Sequence, residues 1–166
     1  MKRRVHSLAY TILLCAALYT VLGSSAHAQQ AFPLNFELPG SKGPIQLQQL
    51  SGKVVYVDFW ASWCAPCQQS FPFMNELLRK YSDKGLRIVA INVDKERKDV
   101  DVFLNKNPAQ FMIAFDPEGK TPLQYQVKGM PTSYLIGRDG KLIHIHRGFR
   151  NADREQIERS IQEALQ

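Results

Sequence analysis

The sequence predicts an α/β domain with a central mixed β-sheet flanked by helices, and three observations carry that expectation. Two continuous apolar runs, "KVVYVDFW" and "LRIVAINV", are too short for buried helices and rich in Val, Ile and aromatics, as strands covered on both faces are. Each is followed by a stretch whose apolar residues recur three and four apart, the spacing of one helix face. The alternation ends in two short apolar runs joined by Arg138-Asp139-Gly140, a hairpin signal, so one sheet would hold parallel and antiparallel pairs. With 166 residues and 45% hydrophobic content, there is material for one domain and one core.

The elements follow in chain order. Lys2, Arg3 and Arg4 precede an uncharged apolar stretch from about Leu8 to Leu22, and Ala26-His27-Ala28 offers small residues where a signal peptidase cuts. Residues 1–28 read as a signal peptide, or alternatively as an uncleaved anchor, and residues 29–166 as the domain. Cys15 lies behind Leu14 inside the apolar stretch, which argues against a lipidation site. Phe32 to Gly52 is a lead-in in which "GPIQLQQL" alternates enough for a short strand in a hairpin. After the strand ending near Trp60, Phe71, Met74, Leu78 and Tyr81 mark a helix that Pro72 should kink or split. Gly85 closes it, and "LRIVAINV" is the next strand. A polar helix from about Glu96 to Asn105 turns Val100, Phe103 and Leu104 inward; "MIAFD" is a short strand and "GKTPLQYQV" a short helix. "SYLIG" and "KLIHIH" form the hairpin, and a helix burying Ile157, Ile161 and Leu165 ends the chain, with Asn151 as its N-cap.

Charge excludes more than it assigns. The formal net charge of +6 includes the three basic leader residues, and the remainder forms no long basic run, so no nucleic-acid partner is indicated. The cysteines say more. Past the leader only Cys64 and Cys67 remain, and a bond across two intervening residues closes almost no loop, so it would add little stability. The pair lies where a strand gives way to a helix. Unpaired N–H groups and the positive end of the helix dipole favour a thiolate there. Cys64 is therefore expected at the helix start with a lowered pKa and an exposed sulfur, as the nucleophile, and the more buried Cys67 resolves the mixed disulfide.

"VDFWASWCAPC" resembles the active-site strand, loop and helix start of the thioredoxin family, in which a proline five residues past the second cysteine, here Pro72, kinks the helix. "GMPTSYLI" resembles that family's cis-proline loop, which implies a cis bond before Pro131 opposite the cysteines. The match covers roughly residues 33 to 166 and implies a thioredoxin fold. The lead-in supplies an N-terminal strand extension, and the 36 residues between Asp94 and Pro131 give room for a strand-helix insertion before the cis-proline loop. With the leader, this is similar to the extracytoplasmic thiol–disulfide oxidoreductases of the TlpA/ResA/CcmG type, within the redoxin superfamily.

That resemblance implies a protein-disulfide reductase acting on protein thiols and disulfides, in the periplasm or tethered to the membrane, without a cofactor. It also implies a membrane electron donor of the DsbD type; a monomer is expected. In the family the aspartate matching Asp58 lies buried behind the second cysteine and exchanges a proton with it; the other reading is a strand-end carboxylate meeting water. The family's partner lysine has no counterpart, since Ala90 occupies its place. Trp63 and Pro66 would border the substrate groove, with Met130, Pro131 and Thr132 as its other wall; Trp60 and Trp63 otherwise read as packing and loop scaffold. Ala65-Pro66 lacks the histidine of strongly oxidising relatives, which favours a reductant. A role in cytochrome c maturation is open, because members serving it often carry asparagine at the Asp58 position and a glutamate after the next strand, where this chain has Asp94-Lys95-Glu96. Rival readings are an oxidase or isomerase, a thiol peroxidase, for which Ala61 stands where a threonine or serine is wanted, and a metal-binding module joining the cysteines to His144 and His146. Those histidines otherwise read as solvent-facing strand residues.

Overall fold

The computed structural model describes residues 35–166; the leader, its boundary with the domain and Cys15 lie outside the described residues. The lead-in forms a two-stranded antiparallel hairpin, β1 (Glu37–Leu38) against β2 (Ile45–Gln46), and a 3-10 turn over Leu47–Leu50. The expected hairpin is therefore present.

The central sheet has five strands: β3 (Val54–Trp60), β4 (Leu86–Asn92), β5 (Met112–Phe115), β6 (Thr132–Ile136) and β7 (Leu142–Arg147), in the order β5-β4-β3-β6-β7. β3 pairs parallel with β4, and β4 with β5, while β6 runs antiparallel to both β3 and β7. All seven residues of β3 are buried, as a strand with helices or loops on both faces requires. Strand pleating sorts them: Val54, Tyr56 and Trp60 join one apolar cluster, Val55, Val57 and Phe59 the other. A register slip of one residue would exchange the two sets, so burial on both faces fixes the pairing only together with side-chain shape.

Among the described residues four α-helices accompany the sheet: α1 (Ala65–Tyr81), α2 (Arg97–Lys106), α3 (Lys120–Gln124) and α4 (Arg154–Ala164). The segment α2-β5-α3 lies between β4 and β6, so the insertion expected before the proline loop supplies the strand at the β4 edge. α1 buries Phe71, Phe73, Met74, Leu77 and Tyr81, with Leu78 only partly covered. It is not split at Pro72. Pro72 is exposed and so is Gln68, so the carbonyl that loses its helical partner meets water. Gly85 has φ +103° in the turn that leads into β4, a conformation that side-chain-bearing residues rarely adopt. Asn151 does not cap α4; it opens a 3-10 turn, Asn151–Asp153, and Asp153 Oδ2 accepts the Arg150 N–H at 2.9 Å. Asp153 rather than Asn151 stands at the N-cap position of α4.

Candidate active site

Cys64 occupies the N-cap position of α1, with Ala65 and Pro66 as the first two helical residues and Cys67 as the third. Pro66 suits that place, where its missing N–H leaves no bond unmade. The two cysteines form a disulfide, and their Cα atoms are 5.3 Å apart. Among the described residues no acidic side chain lies in the first turn, so nothing there opposes negative charge on Cys64. Cys64 is 3% exposed and Cys67 fully buried. The order of burial is as expected, but the exposed sulfur expected at Cys64 is not seen. Bonded to Cys67, it is drawn into the cluster that holds Trp60, Ala61 and Phe71.

The loop before Cys64 is tied to the end of β4. Asp94 Oδ2 accepts the Ser62 N–H at 2.7 Å and Oδ1 the Ser62 hydroxyl at 3.1 Å. Asn92 Nδ2 donates to Asp94 Oδ2 at 2.7 Å, and Asn92 Oδ1 accepts the Asp94 N–H at 3.0 Å. The Val93 N–H donates to Trp60 O, and the Cys64 N–H to Ala61 O. Residues 60–64 are thus held by main-chain bonds and by one carboxylate, which presets Cys64 before any partner arrives. From sequence, Asp94 stands out only as the first residue of Asp94-Lys95-Glu96. The available signal was an Asx residue immediately past a buried strand, where a carboxylate can collect the free N–H groups of an adjacent loop.

Asp58 is 1% exposed, so the buried reading holds for its position and the water-facing one does not. It lies on the side of β3 shared with Tyr56 and Trp60, the side packed with Cys67 and α1. Ser133 Oγ donates to Asp58 Oδ1 at 2.6 Å, while the buried Oδ2 has no hydrogen-bond partner. Burial pushes the carboxyl up to about 7, and the Ser133 hydrogen bond pulls the other way. Ala90 is its register neighbour on β4, so no cation stands there. Burial, then the Asp58 charge, also raise the Tyr56 phenol.

The proline loop reaches the same end of the sheet. The Met130-Pro131 bond is cis, and Pro131 precedes Thr132, the register partner of Phe59. Gly148 N–H donates to Pro131 O at 2.7 Å. Thr132 does not offer a side chain to a groove: it is buried, and its hydroxyl donates to Gly129 O at 2.6 Å. Met130, partly covered against the cysteine cluster, is the side chain of that wall with surface to present. The two tryptophans differ. Trp60 is fully buried between Phe71 and Phe103, with ring centroids 4.8 and 4.6 Å away, whereas Trp63 is 73% exposed beside Cys64.

His144 and His146 are not solvent-facing. Half-buried on β7, they line a small cavity with Tyr56, Ser133, Leu135, Ile157, Ser160 and Ile161 under α4. Neither cysteine borders that cavity, and among the described residues no three His, Cys, Asp or Glu side chains converge as metal ligands do.

Comparisons with known proteins agree with this geometry. Residues 27–161 match the family model described as Redoxin. The thiol-disulfide oxidoreductase ResA of Bacillus thuringiensis subsp. konkukian (strain 97-27) is 38% identical over 122 residues, 74% of this chain and 68% of that protein. ResA of Bacillus subtilis (strain 168) is 31% identical over 143 residues, 82% of this chain and 80% of that protein. A Chlorobium tepidum structure, provisionally described as a thiol:disulfide interchange protein DsbE, superposes with a TM-score of 0.79 at 53% identity, covering 80% of this chain and 94% of that one.

Proposed function

The chain belongs to the redoxin family, has the thioredoxin fold and is a thiol–disulfide oxidoreductase; from that premise we propose that it works outside the cytoplasm as a reductant of protein disulfides. The observation that carries this reading is the Cys64–Cys67 pair at the start of α1, with the buried, high-pKa Asp58 on the strand behind it.

In the loading half-reaction, a donor thiolate attacks Cys64 Sγ and the Cys64–Cys67 bond breaks. Cys67 leaves as a thiolate and takes a proton from Asp58, which is protonated up to about pH 7. A second donor thiolate then attacks the donor sulfur of that mixed disulfide, releasing the donor as a disulfide and Cys64 as a thiolate. In the delivery half-reaction, Cys64 attacks a substrate disulfide and one substrate sulfur leaves as a thiolate and is protonated. Cys67, giving its proton back to Asp58, then attacks Cys64 Sγ and frees the second substrate sulfur. Two electrons pass from donor dithiol to substrate disulfide, and the protein ends as it began.

Trp63, Pro66, Met130 and the main chain at Pro131 form the substrate-facing surface in this reading, with Thr132 acting only through its backbone. The donor is a membrane protein dithiol of the DsbD type, the site of action is the periplasm, and the protein acts as a monomer. Asp58 in place of asparagine favours general disulfide reduction over a dedicated role in cytochrome c maturation. The test is the equilibrium reduction potential of the pair, read by thiol alkylation across a dithiothreitol or glutathione series. A value at or below about −230 mV supports the reductant, and one near about −120 mV reverses the direction.

A further inference from the structure

Four large apolar side chains stand exposed among the described residues: Trp63, Val102, Leu123 and Ile143. Single cases need no explanation on a protein surface, but two of these four, Trp63 and Val102, line one cavity. Its walls are Ser62 and Trp63, in the loop before Cys64, and Asp99, Val102 and Lys106, spaced as one face of α2; the buried Phe103 forms its base. Its volume is about 370 Å³, at the lower end of small-ligand sites. The helix anchors itself through Val100 and Phe103, while Val102 is 48% exposed, so helix packing does not require an apolar side chain at that position.

This cleft is distinct from the proline wall. Cys64 follows β3, the middle strand; Pro131 enters β6 on one side of it, whereas α2 leaves β4 on the other. None of Met130, Pro131 and Thr132 lines the cleft. Its two sides are also placed before any partner arrives. Asp94, just before α2, accepts both Ser62 hydrogen bonds, and Phe103 is fixed against Trp60 and Phe71, with ring centroids 4.6 and 5.0 Å away. A preset cleft lowers the ordering cost of docking. Asp99 and Lys106, both exposed, put opposite charges about two helical turns apart on the rim, so the cleft as a whole attracts neither an acidic nor a basic partner. Its selective surface is the apolar one made by Trp63, Val102 and Phe103.

We propose that the cleft is a second substrate subsite, which seats a large apolar side chain flanking the disulfide cysteine of the protein being reduced, and that Val102 is its specificity-determining residue. The inference rests on the reading of the chain as a reductant of protein disulfides, and it names which of them are preferred. The reach is short. A substrate cysteine bonded to Cys64 has its Cα about 5.5 Å away and its own chain neighbours about 3.8 Å further on, where Trp63, the chain neighbour of Cys64, can meet their side chains. The proline loop then holds substrate main chain, and the α2 cleft reads a side chain.

The test mixes the full chain, reduced at Cys64 and Cys67 and freed of reductant, with one of two synthetic peptides. Each is closed by one disulfide, and they differ only in carrying Leu or Ser on both sides of each cysteine. The readout is the ratio of the second-order rates of peptide reduction, Leu over Ser, followed by thiol alkylation. The cleft predicts a ratio of about ten or more for the wild type. Val102→Asp and Val102→Ser should each bring it to about one, while Val102→Leu keeps it. Leu123→Asp, at an exposed apolar position outside the cleft, should keep it as well. A general loss of packing would slow both peptides alike and leave the ratio where it was. A wild-type ratio near one overturns the proposal, and so does a ratio that survives the Val102 variants or that Leu123→Asp lowers as far. Val102→Ser adds no charge to the helix and decides the matter should Val102→Asp fail to fold. If the reduced wild type leaves both peptides oxidised, the reading as a protein-disulfide reductant falls and the subsite with it; if it reduces both at equal rates, only the subsite falls.

Discussion

Asp94, just past the end of β4, and Asp58, within β3, stand on neighbouring strands near the cysteine pair and meet opposite surroundings. Asp94 is partly exposed, and both its oxygens accept hydrogen bonds, three in all, from Ser62 and Asn92. Asp58 is enclosed, with one bond from Ser133 and one oxygen left over. A carboxylate with both oxygens hydrogen-bonded to neighbouring segments holds a loop in place. A carboxyl that is desolvated and half-satisfied costs free energy as an anion, and that cost raises its pKa towards neutrality. The same residue type thus meets opposite electrostatic conditions at neighbouring strands.

The largest expected effect tests the Asp58 half of this contrast. Folded Asp58 keeps its proton up to about pH 7, and in the unfolded chain it loses it near 3.8. Between those values the folded state holds the extra proton, so stability is highest below the window and falls as pH rises through it, by on the order of 4 kcal/mol. Urea unfolding of the oxidised protein from pH 4 to pH 8 should show that decline, and Asp58→Asn should flatten it. A wild-type curve as flat as the variant's would mean that Asp58 ionises freely, and the contrast would collapse.

Next in size is the Asp94 half. Asp94→Ala removes three accepted bonds and leaves Ser62 and Asn92 donors unmatched, at a cost of about 2–4 kcal/mol at pH 7. Its urea midpoint should drop, and the rate of reduction by dithiothreitol should change with it, because the loop before Cys64 is no longer held. Loss of stability with an unchanged rate would separate the clamp from the chemistry. Ser133→Ala sharpens the comparison at about 1–2 kcal/mol: it removes the one hydrogen bond that stabilises the Asp58 anion, so the inflection in the pH–rate profile should move up. A downward move would contradict the donor role of Ser133. The smallest effect on stability belongs to Trp63→Ala, within about 0.5 kcal/mol for so exposed a side chain. Reduction of a protein disulfide should nonetheless slow while dithiothreitol turnover stays put; equal slowing of both would remove Trp63 from the docking surface.

Much of the fold was legible because buried strands and amphipathic helices write their periods into the sequence. The runs at Val54–Trp60 and Leu86–Asn92 and the terminal hairpin lie where expected. The phase of a strand buried on both faces is a different matter. β6 is buried throughout, so nothing in "TSYLI" tells which of Thr132 and Ser133 faces the cysteines. The expected wall residue, Thr132, turns the other way, and Ser133 becomes the one bonded to Asp58. In α1, spacing alone pointed to Leu78, but Leu77 is the fully buried one, because a helix packed over a wide face covers more than one stripe. The contacts of Asp94 with Ser62 and of Asp58 with Ser133 join residues far apart in sequence, and only strand pairing brings them into range. The redox pair itself needed no tertiary information, because its chemistry depends on a two-residue spacing at a strand-to-helix junction.

The lead-in also covers one rim of the sheet. Ser41 N–H donates to Ile113 O at 3.0 Å, and Phe115 N–H donates to Pro39 O at 2.9 Å, so the outer rim of β5 is already taken by the chain's own backbone. β5 reads Met-Ile-Ala-Phe, apolar and uncharged, the kind of rim that recruits a second sheet when left bare. The opposite rim, β7, carries Arg147 and follows a bulge at Leu135/Ile136, and both discourage a stranger from adding on. Removing residues up to 44 should therefore make particle size in light scattering grow more steeply with concentration than in the full chain, with the cysteine pair untouched.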